Sequence, residues 1–142
     1  MTAKEYLKQL RSLDISINQK IKELDELCML SQSVKSIDYS KERVQTSLPA
    51  GAGFENCIMK INKLESVLDA EIDYFVDLKN KIINQIQSLK NDIYTEILYK
   101  RYVEYKRLEL IAVDMNYSYT RIRHLHGEAL LHFDKLTHVS TQ

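Results

Sequence analysis

The chain has three glycines and one proline in 142 residues. Turn-rich sandwiches and barrels need many more of both, so that class is excluded and long helices are favoured. Net charge is also missing. Twenty basic and twenty acidic side chains cancel, which excludes a strongly basic DNA-coating protein and an acidic tail protein. No apolar run exceeds four residues, whereas a membrane span takes about 18. Residues 1–10 alternate charged and apolar side chains and do not read as a secretory leader. Two cysteines, Cys28 and Cys57, make neither a metal spacing nor a disulfide framework. They read as small packing residues, and a reducing cytoplasm is the expected compartment. What is present, 44% hydrophobic and 28% charged residues, is the composition of a folded chain.

The scarce turn formers are concentrated. Pro49, Gly51 and Gly53 fall together and predict an irregular loop over about 35–53. A helical pattern precedes it. Thr2 with Glu5 forms a capping-box signature, and Tyr6, Leu10, Leu13, Ile17, Ile21, Leu24 and Leu27 follow in steps of three and four. The same spacing returns after the loop, from Phe54 through Ile61, Leu68, Leu78 and Ile86 to Leu89. Two helices of roughly 45–55 Å, at ~1.5 Å per residue, joined by one loop predict an antiparallel hairpin over 1–90. Apolar residues off the main stripe (Ile15, Met29, Val67, Val76, Ile83) call for a second buried contact. Another copy of the chain supplies it most simply, as a homodimeric four-helix bundle.

Asn91-Asp92 marks the next boundary and a helix cap. Shorter helical patterns follow over about 93–105, 107–115 and 118–136. Asn116 tolerates the left-handed backbone of a sharp turn, and Ser118 suits the N-cap of the last helix. A short helix, a tight turn and a capped helix make a helix-turn-helix over 91–142. Ile122, Leu125 and Ala129 form the buried stripe of its second helix, and His126 tilts inward as a core histidine. The opposite face carries Thr120, Arg123, His124 and Gly127, flanked by Tyr119 and Arg121. Arginine pairs with guanine edges, while Thr and His contact bases or phosphates. The free amides beginning at Ser118 suit a phosphate. Between Lys100 and His124 six basic side chains face three acidic ones.

This stretch resembles region 4 of bacterial sigma factors, the module that reads the −35 promoter element. The resemblance is carried by Leu98-Tyr99-Lys100-Arg101-Tyr102, Ile111-Ala112 and the run from Ser118 to Leu130. With Ala3-Lys4-Glu5-Tyr6-Leu7 and Ala70-Glu71-Ile72-Asp73, the whole chain is similar to small prophage proteins of Gram-positive bacteria, among them the ArpU-like regulators. The resemblance implies DNA binding in phage gene control. By position, Tyr119, Thr120 and His124 match base-contacting places of sigma region 4, and Arg121 and Arg123 match its basic residues. Sigma factors usually carry Arg and Glu where this chain has Tyr119 and Thr120, so −35 specificity does not transfer. No promoter-melting region is present in the sequence.

The expectation is therefore an all-α, non-enzymatic, sequence-specific reader of double-stranded DNA. Its site comprises Ser118, Tyr119, Thr120, Arg121, Arg123, His124 and Gly127. No cofactor is implied. His124, Glu128 and His132 share one side of a helix at zinc-ligand spacing, but no fourth ligand is evident and no metal is expected. Two other readings are an adaptor docking on RNA polymerase or a sigma factor, and a structural coiled-coil phage protein.

Overall fold

The computed structural model describes residues 1–37 and 52–140, and these are mostly helical, without strands among them. Among the described residues five α-helices follow in order: α1 (Ala3–Ile37), α2 (Ala52–Gln87), α3 (Asp92–Leu98), α4 (Leu108–Met115) and α5 (Tyr119–Ser140). A π-helical turn, Tyr99–Val103, continues α3. Most of the predicted 35–53 loop, with Pro49 and Gly51, lies outside the described residues, but its described ends are helical: residues 35–37 belong to α1 and Ala52 and Gly53 to α2. No described helix is long and apolar enough to cross a membrane.

Local chemistry sets the helix ends. The Thr2 amide donates to Glu5 Oε2 at 2.9 Å and the Glu5 amide to Thr2 Oγ1 at 3.2 Å, a reciprocal box that satisfies two otherwise orphan donors. These bonds hold the Glu5 carboxyl below its usual range. α1 extends past Cys28 because no Gly or Pro follows until Pro49, and Ser31 returns its hydroxyl to the Cys28 carbonyl at 2.8 Å. α2 stops at Gln87, earlier than its apolar spacing predicts. Lys90 there adopts φ 57°, and Asn91 caps α3 by accepting from the Ile93 and Tyr94 amides.

The chain forms two compact units. They divide between residues 14 and 15 and between 73 and 74, whereas the sequence pattern places one boundary at residue 90. Unit 1 comprises Met1–Asp14 and Tyr74–Gln142. Its larger core joins Leu7 and Leu10 of α1 and Leu78, Ile82 and Ile86 of α2 to Leu98, Tyr102, Val103, Ala129 and Phe133. The Tyr6 hydroxyl donates to Gln85 at 2.9 Å, and its ring stacks on Phe133 with centroids 6.2 Å apart. A smaller core of Ile97, Ile111, Ala112 and Ile122 holds α3, α4 and α5 together.

The π turn explains how the two cores share one segment. The Glu104 amide donates to the Tyr99 carbonyl, five residues back, at 3.1 Å. The wider turn puts the doublets Ile97-Leu98 and Tyr102-Val103, five residues apart, both inward. An uninterrupted α-helix, as the sequence pattern predicts over 93–105, would swing one of them toward solvent.

Unit 2 is Ile15–Asp73. Among its described residues the buried apolar side chains are Ile17, Ile61 and Leu68. Glu71 receives both the Lys20 ammonium and the Ser16 hydroxyl, so α1 and α2 meet here through polar groups. Ile15, Met29, Leu30, Met59 and Val67 are exposed.

Candidate nucleic-acid interface

α4 ends where Asn116 turns left-handed, with φ 59° and ψ 38°. Its amide and that of Tyr117 close on the Val113 and Ala112 carbonyls at 3.3 and 3.0 Å. Few residue types hold this conformation cheaply, and asparagine is one. Ser118 Oγ then accepts from the Arg121 amide at 3.2 Å, which caps α5. Ile122 is fully buried between α4 and α3, and fixes the rotation of α5.

That rotation exposes all seven sequence-predicted residues: Ser118, Tyr119, Thr120, Arg121, Arg123, His124 and Gly127. Thr120, Arg123, His124 and Gly127 share the outward stripe; Tyr119 and Arg121 flank it. The two arginines are ordered by tyrosines four residues earlier. The Arg121 guanidinium lies 4.5 Å from the Tyr117 ring centroid and that of Arg123 lies 5.8 Å from Tyr119. A stacked guanidinium keeps its N–H edge available for acceptors while losing rotamer freedom. Tyr117 is absent from the sequence-predicted set, yet the i, i+4 tyrosine–arginine spacing is visible in the sequence.

The surrounding charges divide into engaged and available ones. Lys106 pairs with Asp114 at 3.0 Å and Glu104 at 3.3 Å, and Lys100 lies 3.6 and 3.7 Å from Glu96 and Asp114. The hydrogen bond from Lys106 holds the Asp114 carboxyl low, and Asp114 raises the Lys106 ammonium in turn. These lysines are less available to a ligand than a count of basic residues implies. Among the described residues no carboxylate lies within ion-pair distance of Arg121 or Arg123. Lys4, which no local pattern marks, lines a shallow cleft with Gly127, Leu130 and Leu131.

Beyond the backbone of its own helix and its chain neighbours, nothing lies within 4 Å of where a Gly127 Cβ would stand, and its φ is not positive. An alanine therefore fits. Gly127→Ala is expected to stabilise the chain by about 1 kcal/mol, read as a rise of a few degrees in melting temperature. An unchanged or lowered melting temperature would contradict this.

His126 sits inward as the sequence predicts, 8% exposed. Its Nε2 shares a 2.9 Å hydrogen bond with the Tyr102 hydroxyl. Burial, then the nearby charges of Arg101 and Lys4, pushes the imidazole down from 6.5 to about 4. Burial pushes the Tyr102 phenol up to about 12. Between about 4 and 6.5 the unfolded chain binds the proton that the folded imidazole refuses, so stability falls as pH falls through this window. The full effect across this window is on the order of 3 kcal/mol. Melting curves across the window should show the decline, and His126→Gln should flatten it. An equal decline in both proteins would contradict the assignment.

His124, Glu128 and His132 do not converge on one point. His124 Nε2 lies 3.0 Å from Glu128 Oε1, while the His132 ring tilts against Tyr94, centroids 5.0 Å apart. Among the described residues no group of three His, Cys, Asp or Glu side chains is arranged to hold a metal.

No protein-family model matches this chain, and neither does any curated protein or solved structure.

Proposed function

We propose that α4, the Asn116 turn and α5 form a helix-turn-helix that reads double-stranded DNA in transcriptional control of phage or prophage genes. The observation that carries the reading is the α5 face. Two tyrosine-stacked arginines, with no carboxylate partner among the described residues, stand beside Thr120 and His124 on one exposed surface. Arg121 and Arg123 supply charge and guanine-edge donors, and Thr120, His124 and Tyr119 supply selectivity. Ser118 and the first amides of α5 suit a phosphate, and Lys4 offers a further phosphate contact. Fluorescence anisotropy of a labelled mixed-sequence duplex tests this. Binding is expected at about 50 mM salt and should weaken steeply by about 200 mM. Absence of binding at the lower salt would overturn the reading.

The antiparallel hairpin belongs to the same proposal. Within unit 1, Tyr6 bonds Gln85 while Leu13, farther along α1, shares a groove with Tyr74, earlier in α2. Among its described residues unit 2 buries the apolar side chains Ile17, Ile61 and Leu68, and its exposed Ile15, Met29, Met59 and Val67 offer a face to a second copy. Light scattering at tens of micromolar should give a dimer, and Ile15→Glu with Val67→Glu should give a monomer. A monomeric parent would remove the dimer from the account.

A second reading has one observation in its favour. Leu110 and Val113 on α4 are exposed, at 49% and 71%, and share a groove with Arg107 and Glu109. An adaptor docking on RNA polymerase through this face would bind polymerase without selecting a DNA sequence.

A further inference from the structure

One chain of contacts behind the α5 face is not needed to expose it. Glu128 lies one turn beyond His124, and both its carboxylate oxygens are engaged. Oε1 faces His124 Nε2 at 3.0 Å, and Oε2 accepts from the Tyr94 hydroxyl at 2.9 Å. Tyr94 belongs to α3, one turn past the Asn91 cap. The hydrogen bond to Glu128 raises the Tyr94 phenol above its ordinary value, so the phenol remains a donor. A lone i, i+4 His–Glu pair on a solvated helix is a weak contact. Here a donor from a second helix holds the carboxylate in place, and the carboxylate in turn orients the imidazole. An ionised carboxylate only accepts, so Nε2 carries the proton and Nδ1 of the neutral ring is the acceptor.

We propose that Tyr94 and Glu128 are positioning residues that set His124 as a hydrogen-bond acceptor for an exocyclic amino group in the DNA major groove. The inference rests on the reading of α5 as the DNA-reading helix. Adenine N6 and cytosine N4 present amino donors there; guanine O6 and thymine O4 present acceptors. An Nδ1 lone pair is satisfied by the first two and repelled by the others. The Tyr94–Glu128–His124 chain thus selects adenine or cytosine at one position of the site.

The test is selection from a random duplex library at mildly alkaline pH, where imidazoles are neutral. The full-length parent is compared with His124→Ala, Tyr94→Phe, Glu128→Ala and Glu128→Gln. The parent motif should contain one position favouring adenine or cytosine by about tenfold. His124→Ala should lose that preference, Tyr94→Phe and Glu128→Ala should weaken it, and Glu128→Gln, which keeps a neutral acceptor, should retain part of it. The remaining positions should hold. A parent motif unaltered in every variant would overturn this inference and leave DNA reading intact; no motif from the parent would overturn both. Nitrogen-15 spectra of the free proteins add a readout without DNA. The parent should show His124 as the Nε2–H tautomer, with Glu128→Ala moving toward a mixture. The same tautomer ratio in both would overturn the positioning role.

Discussion

A fragment of residues 91–142 is expected to show no cooperative thermal transition. Cutting there removes Leu7, Leu10, Leu78, Ile82 and Ile86 from the core that holds Phe133, Leu98 and Tyr102. Burial of one such side chain contributes about 1.5–3 kcal/mol. Five of them are comparable to the whole stability of an ordinary domain, about 5–15 kcal/mol. The same core predicts that Phe133→Ala in the full chain costs about 3–5 kcal/mol. Circular dichroism decides the matter. The full chain should melt cooperatively and the fragment should show little helix. A fragment that melts cooperatively would show that α3 to α5 need no support from α1 and α2.

If α5 reads DNA as proposed, replacing both of its exposed arginines, Arg121→Ala with Arg123→Ala, should lower affinity for a selected duplex about 100-fold or more. Each base-reading arginine is worth about 1–3 kcal/mol, and removing a phosphate-binding side chain flattens the salt slope by about one. The melting temperature should barely move, because both side chains are exposed and neither fills a core. Tyr117→Ala should weaken binding less, since it frees the Arg121 guanidinium that now lies 4.5 Å from its ring. Arg121→Lys should not restore the parent, because an ammonium lacks the planar fork. Equal affinity and equal salt slope in parent and double variant would remove these residues from the interface.

Features written in neighbouring residues were legible in the sequence. Thr2 with Glu5, Asn91 and Ser118 each act within three residues, and the structure shows their predicted capping bonds. Asn116 supplies the left-handed turn on the same short range. The exposed stripe of α5 and the inward tilt of His126 follow from helical periodicity alone. Features joining distant residues were not legible. Nothing around Leu7 or Leu10 marks them as partners of Phe133, because a heptad-like stripe does not say what covers it. The π turn hides in the five-residue spacing of Ile97-Leu98 and Tyr102-Val103, which a three-four template reads as an ordinary helix. Lys100 and Lys106 count as basic residues until Glu104 and Asp114 are seen beside them. Tyr94 serves Glu128 from 34 positions away, beyond any local pattern.

Under the proposed function, α5 reads DNA through Arg121 and Arg123. It is tested most directly by selecting from a random duplex library at about 150 mM salt, near physiological ionic strength, with the parent and the double alanine variant side by side. The expected result is one motif enriched by the parent and none by the variant. The same motif from both proteins, or none from the parent, would contradict it.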